Sequence, residues 1–126
     1  MSIEYQAELK SGYAQLTCHG SYGKQELLDL FDQALEYAAD NGLQAVLVDI
    51  SDVGGAPDKA ERLELGEHFA DIQLGKETIV ALAVMGEEPM IDPERLAETV
   101  ALNRCAVGKV FTALDEAISW LEHTSG

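Results

Sequence analysis

Basic residues are scarce: eight Lys and Arg stand against 23 Asp and Glu in 126 residues, a formal net charge of −15. A field of that sign repels phosphate backbones and anionic headgroups within the screening length. It argues against nucleic-acid partners and against membrane contact through a basic patch. Cysteine is scarce too. Cys18 and Cys105 are far apart and have no second pair to complete a disulfide framework, so reduced thiols in a cytoplasmic protein are expected. No apolar run approaches the roughly 18–20 residues that span a bilayer. The start, Met1 to Gln6, lacks the basic and apolar regions of a secretory signal. Gly54-Gly55 lacks the further glycines and the lysine or ribose-binding acid of a nucleotide loop. No nucleophile–base pair and no metal-ligand cluster stands out, so no catalytic residue, metal or cofactor is expected.

What is present is an ordinary folding composition, 47% apolar and 25% charged, in a length that suits one domain over residues 1–126. Ile3, Tyr5, Ala7 and Leu9 alternate with polar residues, Lys10-Ser11-Gly12 turns, and Ala14, Leu16 and Cys18 alternate again. This predicts an antiparallel hairpin with Cys18 in the core and His19 outside. Helical spacing of Leu27, Leu28, Phe31, Leu35 and Ala38 predicts a helix from about Lys24 to Asp40, stopped by Asn41-Gly42. Residues 44–50 and 78–85 are nearly continuous apolar runs, which read as strands buried on both faces in a parallel sheet. Between them an acidic helix is expected from about Asp58 to Leu74, with Leu65, Phe69 and Ile72 inward. Asp92-Pro93 should open a third helix reaching about Asn103, the aspartate capping and the proline in the first turn. A short strand at Val107–Phe111 follows, then a last helix with Thr112 and Asp115 as capping box, Leu114, Ile118 and Leu121 inward, and Trp120 sealing its edge. The expected fold class is α/β: a mixed sheet of about five strands with an N-terminal antiparallel hairpin and about four helices.

Val48-Asp49-Ile50-Ser51-Asp52-Val53 at the third strand, in this element order, resembles the STAS domain, named for sulfate transporters and anti-sigma-factor antagonists. The stretches 61–68, 79–84 and 98–104, with Val110-Phe111, Glu116-Ala117 and Trp120-Leu121, are more closely similar to the stand-alone bacterial SpoIIAA-like proteins. The resemblance implies a non-enzymatic regulatory or binding domain, a homodimer, acting through the loop after the third strand and the next helix on a protein partner. In the phospho-switched members that loop carries Asp-Ser-Ser-Gly with a phosphorylatable serine; here the four positions read Pro57, Asp58, Lys59 and Ala60. Asp58 therefore reads first as a helix cap and second as a standing negative charge where the modified serine would be. The candidate binding residues are Ser51, Asp52, Gly54, Gly55, Asp58, Arg62, Asn103 and Arg104.

The architecture is also similar to CRAL-TRIO lipid-binding domains, which implies an alternative: a small carrier or sensor of a hydrophobic or amphipathic ligand, with membrane association and the helix at 92–104 as its lid. Core filling by Leu96, Val100 and Ala101 is the plainer reading of that helix. Glu61, Glu64 and His68 share a helical face that suits a divalent metal in type, but a solvated acidic face is the expectation. Cys105 is expected to be a small buried thiol. Arg104 is expected in a helix-end ion pair, with Asp49, Asp52 or an anionic ligand as the sharper alternative.

Overall fold

The computed structural model describes residues 3–92 and 94–125. Five strands form one sheet in the order β1-β2-β3-β4-β5: Ile3–Leu9, Ala14–Ser21, Ala45–Gly54, Ala81–Met85 and Gly108–Phe111. β1 pairs antiparallel with β2, and every later neighbour is parallel. The helices are α1 (Lys24–Asp40), α2 (Lys59–Leu74), α3 (Leu96–Asn103) and α4 (Leu114–Ser125).

Alternation along each strand divides two cores. Leu16 and Cys18 of β2, Val46, Val48 and Ile50 of β3, and Leu82 and Val84 of β4 face α1, α2 and α3. Leu47 of β3, Ala83 of β4 and Phe111 of β5 face Ala117 and Leu121 of α4 on the opposite side. Burial on both faces is why 45–48 reads as an uninterrupted apolar run. α1 has the expected bounds, and Gly42 supplies a left-handed φ of 72° just past its end.

Several expectations are corrected. β4 begins at Ala81 rather than Thr78, and Ile79 is 43% exposed. β3 continues past Ile50 to Gly54, because 52–54 pair with 19–21 of β2 beyond a register shift. α3 starts at Leu96, after Arg95 in a left-handed conformation; Asp92 still accepts the Leu96 N–H, at 3.2 Å. The Pro93 half of that expected cap lies outside the described residues. α4 begins at Leu114, so Ala113 precedes it and Thr112 stands one residue too early to cap; Leu114 itself is exposed. On β1, Tyr5 and Leu9 are exposed, since the edge strand overhangs the helices that cover its neighbours. Cys105 is exposed, not buried, because a φ of 69° turns the chain out of α3 at that residue.

Gln73 was not foreseen as core. It is fully buried, and its amide stands where the β4–β5 ladder would continue. Its Oε1 accepts the Val107 N–H at 2.7 Å, and its Nε2 donates to the carbonyls of Val80 (2.8 Å) and Val107 (2.9 Å). The side chain replaces a peptide rung and ties the end of α2 to the start of both strands.

Candidate functional site

With β2 to β5 parallel, the segments after them, at 22–23, 55–58, 86–95 and 112–113, lie at one edge of the sheet. The loop after β3 is ordered by its own chemistry. Asp58 Oδ1 accepts the Glu61 N–H at 2.8 Å while Glu61 Oε1 accepts the Asp58 N–H at 3.1 Å, a reciprocal capping box that satisfies two donors at the start of α2. The Tyr22 N–H donates to the Gly54 carbonyl at 2.8 Å, extending the β2–β3 pairing to the loop. Gly55 has a φ of +90°, so a side chain there is strained, and its Cβ would come into van der Waals contact with the Tyr22 Cβ at 3.4 Å.

Ser51, Asp52, Gly54, Gly55 and Asp58 are thereby presented together, all exposed, on an ordered rim. Ser51 is steadied by its N–H to Asp49 Oδ1 at 3.0 Å. Arg62 sits one turn into α2 and points across to the segment after β4. It donates to the Pro89 carbonyl at 2.6 Å and the Met90 carbonyl at 2.8 Å, with Asp92 Oδ1 at 3.4 Å. Its guanidinium is largely buried, so it acts as a latch on 89–92 rather than as a free anion receptor. Asn103 and Arg104 are not brought to this rim. Arg104 reaches Glu67 at 3.7 Å and Asp71 at 3.9 Å, about two and a half and three and a half turns along α2 from Asp58, and does not touch Asp49 or Asp52. It is the helix-end ion pair.

Tyr22 belongs to the rim although nothing in its sequence setting marked it. Its hydroxyl is buried without a hydrogen-bond partner among the described residues. Burial, and then the Glu61 and Asp58 carboxylates, push its pKa up to about 12, against the nearby Arg62 charge. Cys18 is also pushed up to about 12, by burial first and Asp49 second. Lys24 is raised chiefly by its hydrogen bond to Glu64, and Lys76 chiefly by its hydrogen bond to Asp32. All four shifts keep the thiol and phenol protonated and the amines charged at neutral pH, away from the poised acids, bases and nucleophiles that catalysis uses. Glu61 and Glu64 are engaged in the cap and the Lys24 pair, and no cluster with metal-binding geometry occurs among the described residues.

Beneath α3 lies a second feature, an almost wholly apolar cavity of about 80 Å³. Phe31, Leu65 and Phe69 meet Leu82 and Val84 there, and Met90 and Ile91 line it from the latched segment. Pro57 and Arg62 also line it, so the cavity reaches the rim. α2 and α3 approach closely alongside it at Gly66, where an added Cβ would stand 2.8 Å from the Val100 Cβ and collide with the Ala97 carbonyl.

No protein-family model matches the sequence, and no curated protein matches it. Solved structures do. An anti-sigma factor antagonist from Mycobacterium paratuberculosis aligns with a TM-score of 0.61 over 96% of this chain and 95% of its own, at 16% identity. An uncharacterised protein with a SpoIIAA-like fold from Shewanella loihica gives 0.50 over 95% and 93%, at 20% identity. At these identities the likeness is one of fold: the chain has the SpoIIAA-like fold of STAS domains, a five-stranded mixed sheet with four helices. No helix is long and apolar enough to cross a membrane among the described residues.

Proposed function

We propose that the chain is a non-enzymatic regulatory domain that binds a protein partner through the rim formed by residues 51–58 and the start of α2. The observation that carries this is the capping box: it fastens the end of an exposed, polar, glycine-bearing loop to the first turn of α2. A loop ordered before binding loses less entropy on docking than a mobile one. The anti-sigma factor antagonist of like fold supports a protein as the partner class. Asp58 is committed to capping its own helix N-terminus.

The test uses Asp52→Lys, which reverses an exposed rim charge without touching the cap, and Glu122→Lys as a control on α4. Affinity capture from a bacterial lysate, quantified by mass spectrometry, should lose its specific partners with Asp52→Lys and keep them with Glu122→Lys. Equal profiles for both variants and the unmodified chain refute the rim as the binding surface.

The cavity favours a second reading, a carrier or sensor of a small apolar or amphipathic ligand. Its volume of about 80 Å³ matches roughly three water-sized groups at about 30 Å³ each, so a larger ligand needs the lining to part or must extend through the open side. Ala101→Val narrows the same space. An idle void partly filled by the two added methyl groups gains stability, up to about 1 kcal/mol at about 24 cal/mol per Å³; a ligand site filled this way loses a co-purifying ligand detectable by native mass spectrometry after organic extraction.

A further inference from the structure

Five of the eight Lys and Arg have a carboxylate partner: Lys10, Lys24, Arg62, Lys76 and Arg104. Among the described residues Lys59, Arg95 and Lys109 have none. Two of those three, Arg95 and Lys109, line one open groove of about 590 Å³ between the β5 edge and α4. The groove has an aromatic floor: the Phe111 and Trp120 rings lie 5.8 Å apart at 53°, and the Lys109 ammonium stands 5.8 Å from the Phe111 centroid. From α4 the groove takes Asp115 and Glu116, both exposed in the helix's first turn. No ion pair joins these carboxylates to Arg95 or Lys109.

We propose that this groove is the face through which two copies of the chain pair about a two-fold axis. A two-fold contact sets one patch against itself, so whatever residue i meets in the partner must in turn meet i. Two cations from the β5 side and two carboxylates from the α4 side satisfy that condition: Arg95 and Lys109 of each copy face Asp115 and Glu116 of the other, around the Trp120 rings. On a chain of net charge −15 most self-contacts bring like charges together, whereas here the two signs balance. A purely anionic partner would leave the carboxylates opposed, and a purely basic one the cations; the balanced arrangement selects a second copy. Aromatic side chains beside Arg are also what interface centres favour. The contact is made by side chains and does not extend the sheet, because the Val110 N–H on the β5 edge is already held by Glu98 Oε1 at 3.0 Å.

Sedimentation velocity of the full chain at about 0.15 M salt, where the screening length is about 8 Å, tests the proposal. The unmodified chain should dimerise. Lys109→Glu and Glu116→Lys alone should each weaken the dimer at least about tenfold, with circular dichroism showing both folded. An equimolar mixture of the two single variants restores opposite charges across both halves of the contact, as does the double variant, and both should recover the dimer to within about threefold. A monomeric unmodified chain, a dimer indifferent to both single substitutions, or single defects that neither the mixture nor the double variant repairs would each overturn it.

Discussion

Replacing Gln73 by Met removes the hydrogen bonds that hold the amino ends of β4 and β5 while keeping a side chain of similar length in the same space, so little void is created. The Val107 carbonyl keeps the Leu82 N–H at 3.2 Å. The buried Val80 carbonyl and the part-buried Val107 N–H are orphaned, at about 1–3 kcal/mol for the first and about 1–2 kcal/mol for the second, giving an expected loss of about 2–5 kcal/mol. For 126 residues, an unfolding entropy of about 2.1 cal/mol/K per residue makes each kcal/mol worth about 4 °C, so the melting midpoint should fall by about 8–20 °C. Urea unfolding followed by circular dichroism gives the free energy directly. Gln73→Glu provides the internal check. An ionised carboxylate keeps the acceptor for Val107 but cannot donate to Val80, and protonation returns the donor, so this variant should recover stability between about pH 8 and pH 5. A loss below about 1 kcal/mol for Gln73→Met would refute the peptide-rung account, because the two backbone groups would then have found other partners.

Gly66→Ala places a methyl against the Ala97 carbonyl and Val100, so α3 must shift; a loss of about 1–3 kcal/mol is expected, with the largest amide-exchange increase in 96–103. A thiol reagent at neutral pH should modify Cys105 alone in the folded chain and reach Cys18 only on unfolding. Because the folded Cys18 pKa is raised from 9.0 to about 12, its contribution to stability is fully present below pH 9 and is lost as pH rises towards 12, with a slope of at most about 1.4 kcal/mol per pH unit. Cys18→Ala should flatten the stability–pH curve just above pH 9; an unchanged slope there would contradict the shift.

Much of the fold could be read from periodicity because it is dictated locally. Leu27 to Ala38 at helical spacing with Gly42 behind them fix α1, and double-sided burial of Val46 to Val48 fixes a parallel strand. What failed depended on contacts distant in sequence. Thr78-Ile79-Val80 has strand propensity, but the ladder begins at Ala81 because Gln73, from another element, takes the preceding carbonyl. Gln73 itself looks like a surface residue on a helix, and nothing nearby in sequence reveals two backbones needing an amide. The rim was foreseen as the 51–58 loop, whereas Tyr22 enters it only through its pairing with Gly54. Asn103 and Arg104, also candidates for that site, are separated from it by helix length: the nine residues of α2 from Asp58 to Glu67 span about 14 Å.

In doubly wound sheets the binding crevice opens where strand order reverses and successive connections leave on opposite faces. Here the order runs β1 to β5 without reversal, and α1, α2 and α3 all pack on one face. Room for a ligand must therefore come from a helix that covers its strands incompletely. α3 is that helix: at eight residues it is about 12 Å long, with left-handed residues Arg95 and Cys105 immediately before it and just past its end. Met90 and Ile91 line the partly open cavity beneath it, and their segment is held by the Pro89 and Met90 carbonyls that Arg62 grips from the first turn of α2. Rim and cavity thus share one fastening. A partner that drew Arg62 away from Pro89 and Met90 would loosen the lining of the cavity, and a ligand that displaced Met90 would free Arg62 beside Asp58. Were both places to bind, linkage would require the partner and the ligand to change each other's affinity by the same factor.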